Sequence, residues 1–290
     1  MKGEVLKHDP ELFRDELLDY KGSYFDFFME KGKTLSKLEK RKLREWLKSQ
    51  RPPQPPFLEL HHKDVRDYKD ILLPESVDWV ITDPPYSKRF LWVYEILGEL
   101  SAYVLKPGGG LLVMVGQSYL PEIIGKLSSK LNYVWTLAYL TPGGQSPYLW
   151  RIRCNSFWKP VLLFSKGKYS GDSFGDVVKT SPNNNDKRFH RWGQSEEGFE
   201  LLFDKFVFPG QTILDPFVGG GTTAVVALKR GCNFIGIDND LESLLTTKKR
   251  CQALGLDFIL RGHTSGEKLP PYLRLSEKAI AYSVAIKVSK

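Results

Sequence analysis

Asp83-Pro84-Pro85-Tyr86 puts a carboxylate, two rigid rings and an aromatic face into four consecutive residues. The set suits a planar substrate that carries an exocyclic amine. Such a nitrogen, as on adenine N6 or cytosine N4, has its lone pair delocalised into the ring and is a poor nucleophile. A carboxylate (Asp83) and a fixed carbonyl (Pro84) can each accept a hydrogen bond from the NH2 group. This draws the nitrogen toward tetrahedral geometry and stabilises the charge that grows as it attacks. Tyr86 can stack on the base, a contact worth roughly 1–3 kcal/mol. A Pro-Pro turn with an Asp cap is the plainer reading of the same residues.

The preceding run, Val77–Thr82, is apolar enough for a buried strand. Two prolines cannot continue a ladder, since they lack the N–H and fix φ. The four residues therefore form a stiff loop at the carboxyl end of a strand, where open α/β sheets carry their sites. A second motif runs from Thr212 to Thr223. It is a short apolar strand ending in Asp215-Pro216-Phe217, then the turn Val218-Gly219-Gly220-Gly221-Thr222-Thr223, which opens a helical pattern over residues 224–230. Glycines let backbone pass close to a ligand, and a helix start offers free N–H groups. About twenty residues on, Asn233–Asp238 is another strand ending in an acid, placed to hold both hydroxyls of a ribose or to cap the next helix. The turn is not G-x-G-x-x-G and carries no basic residue for a pyrophosphate, so a nucleoside without phosphates fits better.

Together, Asp-Pro-Pro-Tyr and Asp-Pro-Phe-x-Gly-x-Gly-Thr-Thr resemble the S-adenosylmethionine-dependent DNA amino-methyltransferases. The catalytic loop precedes the cofactor loop by about 130 residues, which resembles the circularly permuted beta group of that family, with its N6-adenine and N4-cytosine members. The likeness covers roughly residues 57–262. It implies an α/β class I (Rossmann-like) methyltransferase fold: a mostly parallel seven-stranded sheet with helices on both faces. It also implies S-adenosyl-L-methionine as cofactor and double-stranded DNA as partner, and it allows a homodimer and a cognate restriction endonuclease. Carried over residue by residue, Asp83, Pro84, Pro85 and Tyr86 hold the target base. Asp215, Phe217, Gly219 and Gly221 bound the methionine end of the cofactor, Thr222 and Thr223 lie near its carboxylate, and Asp238 holds the ribose. Asp64 matches an acid near the cofactor adenine, or is a surface Asp at a helix start. Many relatives carry His-Pro-Thr-Gln-Lys-Pro before the cofactor loop; this chain has His190-Arg191-Trp192-Gly193-Gln194-Ser195 instead. Gln194 and Ser195 could reach the cofactor carboxylate, or Ser195 is simply a helix N-cap. Asp at the first loop position favours adenine, where cytosine enzymes more often have Ser. Cytosine is the alternative, and RNA a further one.

Composition agrees. The 290 residues carry a net charge of +8 with 41% hydrophobic content, consistent with a real core and a polyanionic partner. Three cysteines, Cys154, Cys232 and Cys251, make no disulfide framework and suit a reducing cytoplasm. No Pro-Cys dipeptide offers the thiolate of a C5-cytosine enzyme. His61 and His62 point apart on a strand, and no metal site is expected. No apolar stretch reaches membrane length, and no signal peptide is evident.

Five segments follow. Residues 1–56 are helical and end in a Pro-rich linker. Leu35, Leu38, Leu43, Trp46 and Leu47 form one stripe, and nine Lys/Arg against two Glu lie between Lys31 and Arg51. That helix is either docked with a solvated basic face or touches phosphates. Residues 57–140 form the catalytic half, with a helix over 89–105 stopped by Lys106-Pro107-Gly108-Gly109. Its aromatics Trp92, Tyr94 and Tyr103 are expected in the core. Residues 141–192 hold nine Lys/Arg and nine aromatics, with one strand over 159–166 between long loops. By family analogy this is the target-recognition insert, and Arg151, Arg153, Lys187, Arg188 and Arg191 are its candidate DNA contacts. Residues 193–262 are the cofactor half. Residues 263–290 are a tail that could add an edge strand.

Overall fold

Apolar runs cut by Pro and Gly build one large mixed sheet. The computed structural model describes residues 9–20, 24–52, 54–142, 148–149, 152–169, 171, 173–182 and 195–261. Its strands are β1 (Phe57–His62), β2 (Val77–Thr82), β3 (Leu105–Met114), β4 (Asn132–Leu140), β5 (Tyr148–Leu149), β6 (Cys154–Asn155), β7 (Trp158–Ser165), β8 (Val177–Lys179), β9 (Thr212–Asp215), β10 (Asn233–Asp238) and β11 (Ile259–Arg261). The spatial order is β11-β1-β10-β9-β2-β3-β7-β4-β8, with β5 and β6 paired as a separate ribbon. β7 runs antiparallel to both neighbours, and every other pair in the large sheet is parallel. The seven expected strands form the body, and the three-residue strands β8 and β11 extend its two edges.

Helices cover both faces. α4 (Leu91–Val104) and α5 (Leu120–Ser128) pack on one, and α6 (Glu196–Phe206), α7 (Thr222–Lys229) and α8 (Leu241–Gln252) on the other. β3 shows how the pleat feeds both layers. Leu112 and Met114 join the α6–α8 side while Leu111 and Val113 join the α4–α5 side. Each such buried aliphatic side chain is worth roughly 1.5–3 kcal/mol. The expected stop after α4 is not a loop. Residues 106–109 already belong to β3, because Gly108 takes φ 81° and its N–H donates to the Lys166 carbonyl at 2.7 Å, while Lys166 N–H donates to Gly109 at 2.9 Å.

The N-terminal helices α1 (Arg14–Leu18), α2 (Tyr24–Lys31) and α3 (Lys37–Ser49) form a small unit. Ser36 and Glu39 make a reciprocal capping box that starts α3. Leu43 and Leu47 are fully buried with Phe27, Phe28 and Phe208, and Leu38 and Trp46 are half-buried. Phe208 lies just before β9, so this unit docks at the amino-terminal edge of the parallel strands. Lys48 seals the joint, its ammonium donating to the Asp204 carbonyl and lying 5.0 Å from the Phe208 ring centre. Burial pushes that ammonium down to about 8. α3 docks by its apolar stripe and leaves Lys37 and Arg41 on its exposed side.

Among the described residues no helix is long and apolar enough to cross a membrane. The tail 263–290 lies outside the described residues.

Candidate active site

The carboxyl ends of β2, β9 and β10 are neighbours, and each delivers an acid: Asp83, Asp215 and Asp238. Asp215 is the hinge of the group. It is 2% exposed; its Oδ1 accepts the Thr82 hydroxyl at 2.6 Å and the Phe217 N–H at 3.1 Å. Thr82 is the last residue of β2, so this bond ties the Pro-Pro loop to the glycine loop. Burial raises the Asp215 carboxyl to about 6, against the opposing hydrogen bonds from Thr82, Thr223 and Phe217.

The glycine loop is held from behind. Gly221 takes φ 78°, and a Cβ there would lie 2.5 Å from Thr247 Oγ1. Thr247 donates to the Gly219 carbonyl at 3.1 Å. Arg250 donates to the Gly220 carbonyl and, through its other nitrogen, to Glu196 Oε1 at 2.7 Å. Thr222 and Thr223 begin α7 and are buried. Asp238 accepts one backbone N–H on each oxygen, Gly219 at 2.8 Å and Asp240 at 2.9 Å. Asp240, and not Asp238, caps α8, through Ser243 N–H at 3.0 Å. The carboxylate of Asp238 is thus fixed and partly exposed.

In the Pro-Pro loop, Pro84 is buried and Pro85 exposed, while Asp83 and Tyr86 are half-buried. The Tyr86 hydroxyl donates to Asp83 Oδ1, and its ring lies against Gly116, where an added Cβ would approach its Cβ to 3.1 Å. Burial, with the Asp83 charge beside it, lifts the Tyr86 phenol well above its ordinary value. Asp64 caps the short turn after β1 and is chelated by Arg66 at 2.9 and 2.7 Å, which lowers its carboxyl. Ser195 stands at the N-cap of α6, yet its hydroxyl makes no capping bond. Arg153 is exposed in the turn between β5 and β6, at φ 53°. Arg151, Lys187, Arg188, Arg191 and Gln194 lie outside the described residues.

Four neighbours escaped the sequence reading. Lys159, at the start of β7, holds its ammonium 5.9 Å from the Tyr86 ring centre. Tyr94 on α4 and Tyr139 on β4 are buried, and the Asp83 charge adds to the burial that raises both phenols. Arg250 is the fourth. No local pattern marks any of them, because each reaches the site only through sheet order or helix packing. Trp92 corrects an expectation: it is 43% exposed in the first turn of α4 with the Arg66 guanidinium over its ring. Tyr94 is core as expected, and Tyr103 packs edge-on against Tyr68. No cluster of three metal-binding side chains occurs among the described residues.

Residues 196–249, which run from α6 through the glycine loop and β10 into α8, match the family model described as DNA methylase. Type II methyltransferase M2.DpnII of Streptococcus pneumoniae is 57% identical over 58 residues, 19% of this chain and 22% of the relative. DNA adenine methyltransferase YhdJ of Escherichia coli is 27% identical, with 67% of this chain and 80% of that protein covered. Among solved structures, TTHA0409 of Thermus thermophilus, complexed with S-adenosyl-L-methionine, shares the fold. Its TM-score is 0.60 at 20% identity, over 72% of this chain and 99% of the other. The cytosine-N4-specific PvuII DNA methyltransferase shares it at TM-score 0.57 and 15% identity, over 82% and 96%. The glycine-loop segment is thus similar to DNA methylases, and the fold is shared with solved DNA methyltransferases over most of their length.

Proposed function

We propose that the protein methylates the exocyclic N6 of adenine in double-stranded DNA, using S-adenosyl-L-methionine. The observation that carries this reading is the Thr82–Asp215 hydrogen bond at 2.6 Å, which couples an amine-accepting loop to a nucleoside-holding loop. When bound, the cofactor supplies an electrophilic methyl on a sulfonium. Asp238, with both oxygens already oriented by backbone N–H groups, would take its ribose hydroxyls, and Asp64 would lie toward its adenine. The turn formed by Phe217, Gly219 and Gly221, with Thr222 and Thr223, would receive its methionine part.

The target base must leave the duplex stack, at a cost of a few kcal/mol, because its amine is otherwise paired. Asp83 and the Pro84 carbonyl then accept its two N–H groups. The Tyr86 hydroxyl now sits on Asp83 Oδ1, where an amine donor would sit, so the incoming base displaces it and meets the ring. Positioning and these acceptors supply the catalysis, with no covalent enzyme intermediate. Asp83 and the YhdJ likeness favour adenine; the PvuII likeness keeps N4-cytosine as the second reading. Arg153, with Arg151, Lys187, Arg188 and Arg191, would contact DNA, with a homodimer and a cognate endonuclease as further partners and the cytoplasm as the setting. Mass spectrometry of nucleosides from DNA incubated with enzyme and cofactor tests the base: N6-methyladenine is expected, and N4-methylcytosine alone would overturn the choice.

A further inference from the structure

The ribbon of β5 and β6 presents apolar surface where a turn is ordinarily polar. Leu149 pairs with Cys154, so Ile152 and Arg153 lie in the turn that joins the two strands. Turns favour Gly, Asn, Asp and Ser, while a β-branched side chain suits the pleated surface of a sheet. Ile152 is nonetheless 66% exposed, and Phe157, just after β6, is 69% exposed. Neither side chain joins a core cluster of the described residues. Arg153, beside Ile152, holds a left-handed φ of 53°, a strained conformation for a residue other than glycine. Ile152, Arg153, Cys154 and Asn155 are all exposed, so the tip stands clear of the body. Local rules broken without a gain in packing mark a place of function.

The root of the ribbon is fastened beside the base loop. The Ser156 hydroxyl donates to Gln117 Oε1 at 2.9 Å. Gln117 follows Gly116, against which the Tyr86 ring lies. On its other side the chain enters β7 at Trp158, and Lys159 holds its ammonium 5.9 Å from the centre of the same ring. At about 3.3 Å per residue, the steps from Ser156 to Arg153 carry the tip roughly 10 Å beyond this root. A DNA groove is about 8 Å deep, so a ribbon rooted at the mouth of the base site can touch the base stack with its tip.

We infer that Ile152 enters the duplex as the target base leaves it and fills the gap in the stack. The inference rests on the reading above, in which the base is extruded toward Asp83 and Tyr86. Extrusion loses pairing and stacking, and an apolar wedge offsets part of that loss by covering the faces of the neighbouring bases. A branched aliphatic side chain suits this place, since it makes no hydrogen bonds and reads no sequence. Phe157 continues the apolar surface below it, and Arg153 brings a guanidinium to the phosphates that flank the gap.

The test compares two duplexes carrying the sequence that the enzyme methylates. One is fully paired; in the other the target base faces an abasic site, so that its extrusion costs least. In the full chain, Ile152→Ala is expected to slow methylation of the paired duplex about tenfold and to leave the abasic duplex within about twofold of the wild type. Ile152→Met, which keeps an apolar wedge, should restore the paired rate. Calorimetric affinity for S-adenosylhomocysteine and the melting temperature should not change, since the side chain is exposed. Equal slowing on both duplexes would make Ile152 an ordinary DNA contact, and an unchanged paired rate would leave it no role. Slowing with a smaller mass of Ile152→Ala in solution would make the ribbon a contact between copies of the chain. Each of these results overturns the proposal. If the wild type methylates neither duplex, the reading of the function fails first, and the wedge with it.

Discussion

Asp215 is predicted to contribute to stability with a pH dependence opposite to that of a salt-bridged Asp. Its carboxyl is fully enclosed, and burial raises it from 3.8 to about 6 in the fold. A carboxyl raised on folding binds its proton more tightly in the native state than in the unfolded chain. The contribution of Asp215 to stability therefore falls as pH rises from about 4 through about 6, the reverse of the usual salt-bridged Asp. A shift of about two units corresponds to roughly 3 kcal/mol, of which about 2 falls between pH 4 and pH 8. Asp215→Asn keeps an Oδ1 acceptor for Thr82 and Phe217 and removes the charge. Urea unfolding of both proteins at pH 4 and pH 8 isolates the effect, since all other titrating groups are shared. The Asn variant should gain about 2 kcal/mol on the wild type between the two pH values. It should also lose cofactor affinity, because the acid was placed there at the expense of stability. Parallel pH dependence in the two proteins would refute the reasoning, since the charge would then carry no burial cost.

Arg250→Met should weaken S-adenosylhomocysteine about tenfold by freeing the Gly220 carbonyl and Glu196; unchanged calorimetric affinity would show that the loop holds itself. Gly198→Ala should cost about 1–3 kcal/mol in urea unfolding, because its methyl group meets the buried Tyr139 ring end. Phe208→Ala should cost about 3–5 kcal/mol and expose the N-terminal helices to limited proteolysis first, since Phe208 lies between Phe25 and Phe28, at 5.5 and 5.3 Å. Uniform proteolysis would mean that the helices do not depend on that ring.

The parts of the fold that local chemistry dictates were legible. Pro84 and Pro85 end β2 whatever surrounds them, and the Gly219–Gly221 turn announces the β9–α7 junction. The likeness then placed both loops on one fold, and the sheet order brought Asp83, Asp215 and Asp238 together. Three things were not legible. Phe208 carries no local signal, yet it is the seat for α2 and α3, which lie far from it along the chain. Tyr139 and Tyr94 look like ordinary core aromatics, and only the sheet order and the packing of α4 bring them within the influence of the Asp83 charge. Arg250 reads as one more cation at a helix end, while its hydrogen bonds join α6 to the glycine loop. Trp92 failed for a related reason: helical spacing alone does not tell a buried position from an exposed one in the first turn.

The most direct measurement is long-read sequencing of plasmid DNA from cells expressing the wild type or Asp83→Ala. N6-methyladenine in one sequence context, present with the wild type and absent with the variant, is the expected result. A methylated base that survives the substitution in folded protein would contradict the role given to Asp83, and with it the proposed chemistry of the site.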